Sequence, residues 1–380
     1  MPRMDLHLPD VAAAALALLA TYALIWLLQP IAHRYGWLDR PTSPRKQHRE
    51  PTPVTGGPAI VIAMLLAGLA ASDPPSAAVM GLLSGVLLLL VVGLLDDMHD
   101  LRWYYRIGAQ VLAALMMVYI GGVEVEQVGP MLGIRDTGLG VLSVPITVLA
   151  TVGLINAINM IDGIDGLAGS LSAAFMFMLC CAALYAGNEL IANRALLLGA
   201  AVCGFLLMNM RLPWQPRAKV FLGNSGSAIL GFMAAWLAFR LTQNPGHPVS
   251  PVLALWLLPI PVMDTLVLMA TRLKRGQSPF HADRNHIHHL MLDAGFKPTG
   301  IVLSLVGFSL ATGLLAGMLM RIDVPNVVLL LAFVLLCAWW GWMTLRRARA
   351  ITFLKRLRRL RRDTSVPLDE AEIDEISPPH

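Results

Sequence analysis

Eleven separate apolar runs divide this sequence, each about as long as the 17–22 residues that an α-helix needs to cross a bilayer. Such runs leave the chain few folds, because every backbone N–H and C=O inside a membrane must be hydrogen-bonded within the protein. Only 14% of the residues are charged, whereas a soluble domain has about 25%. The sequence therefore predicts an all-α polytopic membrane protein. The runs are 9–30, 55–71, 76–95, 104–121, 139–158, 168–187, 193–209, 222–241, 250–270, 300–320 and 324–345.

The distribution of basic residues predicts how the protein is oriented. Fifteen lysines and arginines fall in one set of loops and nine more follow the last run, against five on the other side. Cytoplasmic loops carry the excess of Lys and Arg in membrane proteins. We therefore expect the N-terminus outside, the C-terminus in the cytoplasm, and the polar motifs below in cytoplasmic loops. An odd number of spans agrees with that orientation.

The chain is expected to have three parts. Residues 1–345 form the multi-span domain, and its first run is expected to be a retained helix because no small-residue cleavage site follows it. Residues 346–362 are strongly basic and predict either a juxtamembrane helix on an anionic leaflet or only a topology signal. Residues 363–380 are acidic and predicted to be disordered. The four cysteines lie in apolar runs without zinc-site spacing and are not expected to form disulfides.

Carboxylates at the ends of membrane spans are costly and mark candidate sites. Asp96 and Asp97 end the third run, and on a continuing helix Asp96 would share a face with Asp100. Close carboxylates repel one another and stay ionised when a cation lies between them. The alternative is a solvated helix end. Arg106, at the start of the next run, is placed to meet a lipid phosphate, although alone it is more typical of a cytoplasmic anchor.

A second acidic group ends the fifth run. Its four members recur every third residue: Asn156, Asn159, Asp162 and Asp165. Oxygen ligands of this kind suit Mg²⁺ or Mn²⁺ bridging substrate phosphates. A polar seam between helices would explain Asn156 alone but explains the whole set poorly.

Three further loops carry polar groups. Asn224 lies among small residues at the start of the eighth run, which leaves room for a phosphate or metal or simply allows close packing. Lys46 belongs to a basic run before a Pro/Gly-rich span entry. The longest loop holds Arg284, His286, His288 and His289. So many donors favour a pyrophosphate over zinc, with a plain solvated loop as the alternative.

These motifs, in this order, resemble those of the polyprenyl-phosphate N-acetylhexosamine-1-phosphate transferases. The form His286-Ile-His288-His289 is similar to the bacterial N-acetylglucosamine branch. The resemblance implies an inner-membrane enzyme that transfers sugar-1-phosphate from a UDP-N-acetylhexosamine to undecaprenyl phosphate and releases UMP. It also implies Mg²⁺ (with Mn²⁺ as the alternative), a homodimer, no nucleic acid, and a role in starting a lipid-linked glycan such as O-antigen of lipopolysaccharide.

The same resemblance implies roles for individual residues. The catalytic residues would be Asp96, Asp97, Asp162 and Asp165. The substrate-binding residues would be Lys46, Arg106, Asn156, Asp165, Arg284, His286, His288 and His289. The metal ligands would be Asp97, Asn159 and Asn224. The resemblance leaves open whether the lipid phosphate attacks directly, which we favour, or through an aspartyl-phosphate intermediate.

Asn224 departs from the family pattern, which usually has a metal-binding Asp at this position. Loss of one charge should weaken Mg²⁺ binding. Three interpretations of Asn224 remain open: a subfamily that compensates for the lost charge, an inactive or scaffold-like relative, or an engineered substitution that traps substrate. A transferase for another UDP-N-acetylhexosamine is a separate alternative. A transporter is not favoured, because the ionisable residues cluster on one side and no internal repeat is visible.

Overall fold

The structure is a computed structural model and describes residues 8–39, 50–69, 76–129, 138–244, 246, 249–278 and 284–363. The regular secondary structure of the described part is helical, including a short 3-10 helix at Gly140–Leu142, apart from a two-stranded antiparallel ribbon. The ribbon pairs β1 (Leu38–Asp39) with β2 (Thr52–Pro53). The helices are α1 (Leu8–Tyr35), α2 (Gly56–Leu69), α3 (Ala77–His99), α4 (Trp103–Tyr119), α5 (Ser143–Ile161), α6 (Leu167–Tyr185), α7 (Glu189–Asn209), α8 (Gly223–Thr242), α9 (Pro251–Leu257), α10 (Pro259–Lys274), α11 (Ile287–Asp293), α12 (Pro298–Arg321), α13 (Asn326–Thr344) and α14 (Arg347–Asp363).

The predicted all-α polytopic architecture is confirmed. In the described residues, eight helices are long and apolar enough to cross a membrane, and the pair α9–α10 adds a ninth if it counts as one span. Two predicted runs form shorter helices, with 14 residues in α2 and 17 in α4. The run 250–270 is not one straight helix, because its two halves meet at 90°. Pro259 at the start of α10 lacks the backbone N–H that would continue α9.

The centre of the bundle is α8, in which 15 of 20 residues are buried. Helices α3 and α5 flank it, and α4 packs against both. The approach of α3 to α8 is close enough that a Cβ at Gly93 would collide with the backbone of Ser225. A glycine is therefore required at this crossing. The contact fixes the end of α3, which carries the predicted aspartates, beside the start of α8.

The basic segment after the last span forms helix α14. Ala350 and Leu354 on α14 are buried at 0% and 4% exposure, and the helix contacts α11 and α13. The four cysteines are all free. The acidic segment predicted to be disordered lies outside the described residues, except for Asp363 at the end of α14.

Candidate active site

A cavity of about 340 Å³ lies between α3, α4, α5 and α8, next to α10 and α11. Eight of the predicted site residues line it: Asp96, Arg106, Asn156, Asn159, Asn224, His286, His288 and His289. Four others lie outside its lining: Asp97, Asp162, Asp165 and Arg284. Lys46 falls outside the described residues. The fold therefore brings motifs up to 193 residues apart in the chain, from Asp96 to His289, to one cavity.

Asp96 holds Arg106 at the cavity wall. Its buried carboxylate accepts hydrogen bonds from the backbone N–H of Leu101 at 2.8 Å and from Arg106 Nη1 at 3.3 Å. The Arg106 side chain is 37% exposed, so part of the guanidinium remains available to an anion in the cavity. Helix α3 ends at His99, and Asp100 follows in a left-handed conformation with φ 51°. The expectation that Asp100 would share a face with Asp96 on a continuing helix is therefore wrong.

Asp97 faces α8 instead of the cavity. Its carboxylate accepts from the backbone N–H of Asn224 at 2.7 Å. Ser225 donates to it twice, from its backbone N–H at 3.2 Å and from its hydroxyl at 3.0 Å. These are the free N–H groups at a helix N-terminus, where a negative charge is favoured. Asp97 thus fixes the position of Asn224 across the α3–α8 crossing.

Asparagine side chains connect α5 to its neighbours. Asn159 Nδ2 donates to Asn224 Oδ1 at 3.1 Å and to the hydroxyl of Ser227 at 2.9 Å. Deeper along α5, Asn156 Nδ2 donates to Gln110 Oε1 at 2.7 Å. Asn156 therefore forms part of a buried polar seam, which agrees with the structural alternative for this residue, and still lines the cavity.

Asp162 and Asp165 lie in the turn after α5. Asp165 accepts hydrogen bonds from Arg211 Nε at 2.7 Å and from the backbone N–H of Ala218 at 3.3 Å. Its carboxylate is therefore bound to the loop between α7 and α8. Asp162 is exposed at this turn, although the surrounding protein atoms partly desolvate its carboxylate. That desolvation, with the charges of Asp97 and Asp165, raises the pKa of Asp162 to about 7.

The histidines lie at the start of α11, where His288 is buried at 1% exposure. Neither ring nitrogen of His288 has a hydrogen-bond partner among the described residues, and the same is true of His289 Nδ1. A Cβ at Gly163 would collide with His288 Nε2, so a glycine is needed for this approach. Desolvation lowers the pKa of His288 well below its ordinary value. Desolvation and the Arg284 charge lower the pKa of His289 to about 4.

Three residues that sequence reasoning missed position His286. Asp264, 1% exposed in α10, accepts from His286 Nδ1 at 2.8 Å and from Trp340 Nε1 at 3.2 Å. Its other contact is the backbone N–H of Ile287 at 3.3 Å. Arg272 Nη2 lies 3.5 Å from His286 Nε2, which favours the neutral tautomer with its proton on Nδ1. An aspartate inside an apolar run was the available signal.

The donor set near α8 fits a hard divalent cation. The described residues contain no group of three or more His, Cys, Asp or Glu arranged to hold a metal, so a ligand set here must use asparagine oxygens. Desolvation, together with the charges of Asp97 and Asp165, raises the pKa of Asp162, and a cation held beside Asp162 would favour its ionised carboxylate. Asn159 would have to turn its amide to present oxygen, because its Nδ2 now contacts Asn224.

Known proteins are similar in sequence to this chain over most of its length. Residues 79–242 match the model of glycosyl transferase family 4. The undecaprenyl-phosphate alpha-N-acetylglucosaminyl 1-phosphate transferase of Pasteurella multocida is 35% identical over 343 residues, which are 90% of this chain and 95% of that protein. The same-named protein of Escherichia coli K12 is 33% identical over 351 residues, 91% and 94% of the two chains.

The chain belongs to glycosyl transferase family 4. The predicted resemblance to the polyprenyl-phosphate transferases is thereby confirmed. The segment that matches the glycosyl transferase family 4 model runs from α3 to α8 and includes every predicted aspartate and asparagine. Arg284 and the histidines follow that segment. Arg284 itself is exposed and lies 3.7 Å from Asp293, away from the cavity lining.

Proposed function

We propose that this protein transfers N-acetylglucosamine-1-phosphate from UDP-N-acetylglucosamine to undecaprenyl phosphate and releases UMP. The observation that carries the proposal is the cavity, in which polar groups from α3, α4, α5, α8 and α11 converge. Relatives named for this reaction, 33–35% identical over about nine-tenths of the chain, support it. They also disfavour an inactive variant or a different sugar donor. The product would start a lipid-linked cell-surface glycan.

The proposed enzyme crosses the bacterial inner membrane eleven times. The eight long apolar helices, the bent pair α9–α10 and the shorter helices α2 and α4 supply these spans. With the N-terminus outside, the ends of α3 and α5 and the start of α8 open to the cytoplasm, where UDP-sugars are made. The excess of basic residues in the same loops supports this orientation.

The reaction needs little covalent chemistry from the protein, because phosphoryl transfer depends mainly on positioning and charge neutralisation. An oxygen of the lipid phosphate forms a bond to the sugar-bearing phosphorus of the donor, and the bond from that phosphorus to UMP breaks. Arg106, oriented by Asp96, binds the lipid phosphate at the cavity wall. His288 and His289 bind the donor diphosphate through ring nitrogens that have no hydrogen-bond partner within the described part of the chain.

Asp97, Asn224 and Asn159, with Asp162 beside them, would hold Mg²⁺ in the proposed enzyme. When bound, the ion would neutralise the diphosphate and make UMP a better leaving group. Asp97 already fixes the backbone of residue 224, so the side chain at that position is set where a ligand would be needed.

The direct test measures UMP released by the purified protein from UDP-N-acetylglucosamine and undecaprenyl phosphate in the presence of Mg²⁺. We expect release that requires the lipid and stops with EDTA. The same folded protein binding the donor without releasing UMP, also in the presence of Mn²⁺, would contradict the proposal.

Replacing Asn224→Asp should increase the affinity of the site for Mg²⁺. The added carboxylate would still accept from Asn159 and would restore a charged ligand, so we expect half-activation at an Mg²⁺ concentration lower by about tenfold, the equivalent of roughly 1.4 kcal/mol. A titration of UMP release against Mg²⁺ measures it. Asn188→Asp, at the N-terminus of α7 and far from the cavity in sequence, is the matched control. Superimposable titrations of the wild type and Asn224→Asp would remove Asn224 from the ligand set.

Donor binding should be accompanied by proton uptake. His289, with a pKa of about 4, is neutral at pH 7 in the free protein, and a diphosphate beside it would raise that pKa towards or above 7. We expect up to about one proton taken up for each histidine that becomes charged. Calorimetry of UDP binding in buffers with different ionisation enthalpies measures the number. A binding enthalpy independent of the buffer would show that the histidines bind the diphosphate as neutral donors.

A further inference from the structure

Helix α14 has an apolar stripe that is only half covered. Ala350 and Leu354 on this stripe are buried in the hydrophobic core, and the helix contacts α11 and α13. Phe353 and Leu357, which follow on the same side at helical spacing, are 44% and 49% exposed. Part of the stripe therefore holds the helix to the protein, while the rest faces outward.

The remaining surface of α14 is strongly basic. Residues 346–362 hold nine Lys and Arg and no Asp or Glu. Lys355 and Arg356 are exposed, and in the described residues neither has a hydrogen bond or ion pair. The two exposed apolar groups and these two cations, carried on one helix, match the chemistry of an anionic phospholipid surface, which offers both phosphate charge and an acyl boundary.

The position of α14 places it at the edge of the membrane. It begins at Arg347, three residues after the end of α13, a candidate span. Trp342, in the last turn of α13, is 61% exposed, and tryptophan is enriched where spans leave the bilayer. The Arg349 guanidinium lies 4.4 Å from the Trp342 ring centroid and donates to the Trp342 carbonyl at 3.0 Å. The first turn of α14 is thus fixed at this boundary.

The covered face of α14 contacts the segment that carries the histidines. Arg347 donates to the carbonyl oxygen of Arg284 at 2.7 Å and forms an ion pair with Asp293 at the end of α11. Arg358 donates to the carbonyl oxygen of Ala294 at 3.4 Å. Contacts from α14 therefore reach both ends of α11 and would hold His288 and His289 at the cavity.

We propose that α14 binds anionic phospholipids and thereby stabilises α11 in the position seen here. Lipid phosphates bind Lys355 and Arg356, and Phe353 and Leu357 insert at the acyl boundary. Lipid binding favours the docked helix, so its free energy also favours the contacts of Arg347 and Arg358 with the histidine segment. The effect of α14 on the candidate site rests on the proposed function. The primary test of lipid binding does not depend on turnover.

The test is amide hydrogen exchange of the full-length protein in nanodiscs of phosphatidylcholine alone or mixed with phosphatidylglycerol. We expect exchange within residues 287–293 to slow by about fivefold or more when phosphatidylglycerol is present. The variant Lys355→Gln/Arg356→Gln should lose most of this difference. The control Lys274→Gln/Arg275→Gln removes the same charge from the end of α10 and should keep it.

Equal exchange of residues 287–293 in both lipids would overturn the proposal, as would an unchanged lipid dependence in Lys355→Gln/Arg356→Gln. Soluble glycerol phosphate distinguishes binding to a membrane surface from binding to a free phosphate ester. It should not slow exchange, and slowing equal to that in phosphatidylglycerol would contradict a lipid site.

A lower KM for UDP-N-acetylglucosamine in phosphatidylglycerol is expected if the transferase proposal holds. Exchange that slows while UMP release fails would leave this inference standing and the transferase proposal refuted.

Discussion

Replacing Asp97→Asn should reduce kcat for UMP release by at least about 100-fold, the size of effect seen when one preorganised electrostatic group is lost. The carboxylate accepts three hydrogen bonds from Asn224 and Ser225 and supplies negative charge beside Asp162. An amide of the same shape keeps one acceptor oxygen but turns a donor towards the start of α8. Steady-state kinetics with saturating donor and lipid measures the loss.

The chain offers a control for this substitution three residues away. Asp100 is exposed and adopts φ 51°, a left-handed conformation that asparagine accepts at least as readily as aspartate. Asp100→Asn removes the same charge from the same helix end, and we expect its kcat to stay within about twofold of the wild type, as for a surface change. Equal losses in both variants would attribute the effect to net charge and not to the contacts of Asp97.

Replacing Asp264→Ala should lower the free energy of unfolding by about 3 kcal/mol, because three buried donors lose their acceptor at once. These donors are His286 Nδ1, the backbone N–H of Ile287 and Trp340 Nε1. The effect should extend to function, since His286 would no longer be oriented and α11 would lose the bond at its first residue. Thermal unfolding in detergent and KM for UDP-N-acetylglucosamine measure the two consequences.

A graded pair of variants separates stability from positioning. Trp340→Phe removes one of the three donors and leaves His286 bonded, so it should lower stability with little change in KM. Asp264→Asn keeps one acceptor oxygen but loses the charge, and it should raise KM more than Trp340→Phe does. If KM follows only the loss of stability across all three variants, Asp264 has a structural role and does not position the histidine.

Apolar run length predicted most of the helices, because a membrane span must satisfy its own backbone hydrogen bonds and therefore needs a long stretch of apolar residues. The break between α9 and α10 was missed, since hydrophobicity averaged over a run does not register a bend at Leu258. Motif chemistry predicted the residues around the cavity, including Asn224 and His288. It could not predict that Asp97 caps α8 while Asp96 orients Arg106, because adjacent residues on a helix face different neighbours and only the packing decides which.

Asp264 shows the opposite limitation. It lies inside an apolar run, with no polar motif beside it in the sequence, and its partners are 22 and 76 residues away. Local patterns carry no information about such pairings. The expectation for the basic segment 346–362 was similarly incomplete: the sequence indicated charge and amphipathicity, whereas its contact with α11 depends on how the chain returns after α12 and α13.

The right-angled break at Leu258 constrains how the length of this chain can vary during evolution. Asp264 lies five residues after Pro259, and each residue inserted or deleted between them would turn the carboxylate by about 100° around the helix axis and away from His286. Insertions and deletions should therefore be excluded from this segment in functional homologues. The connection between α8 and α9 precedes the break and does not set this angle, so we expect its length to vary more than that of the segment between Pro259 and Asp264.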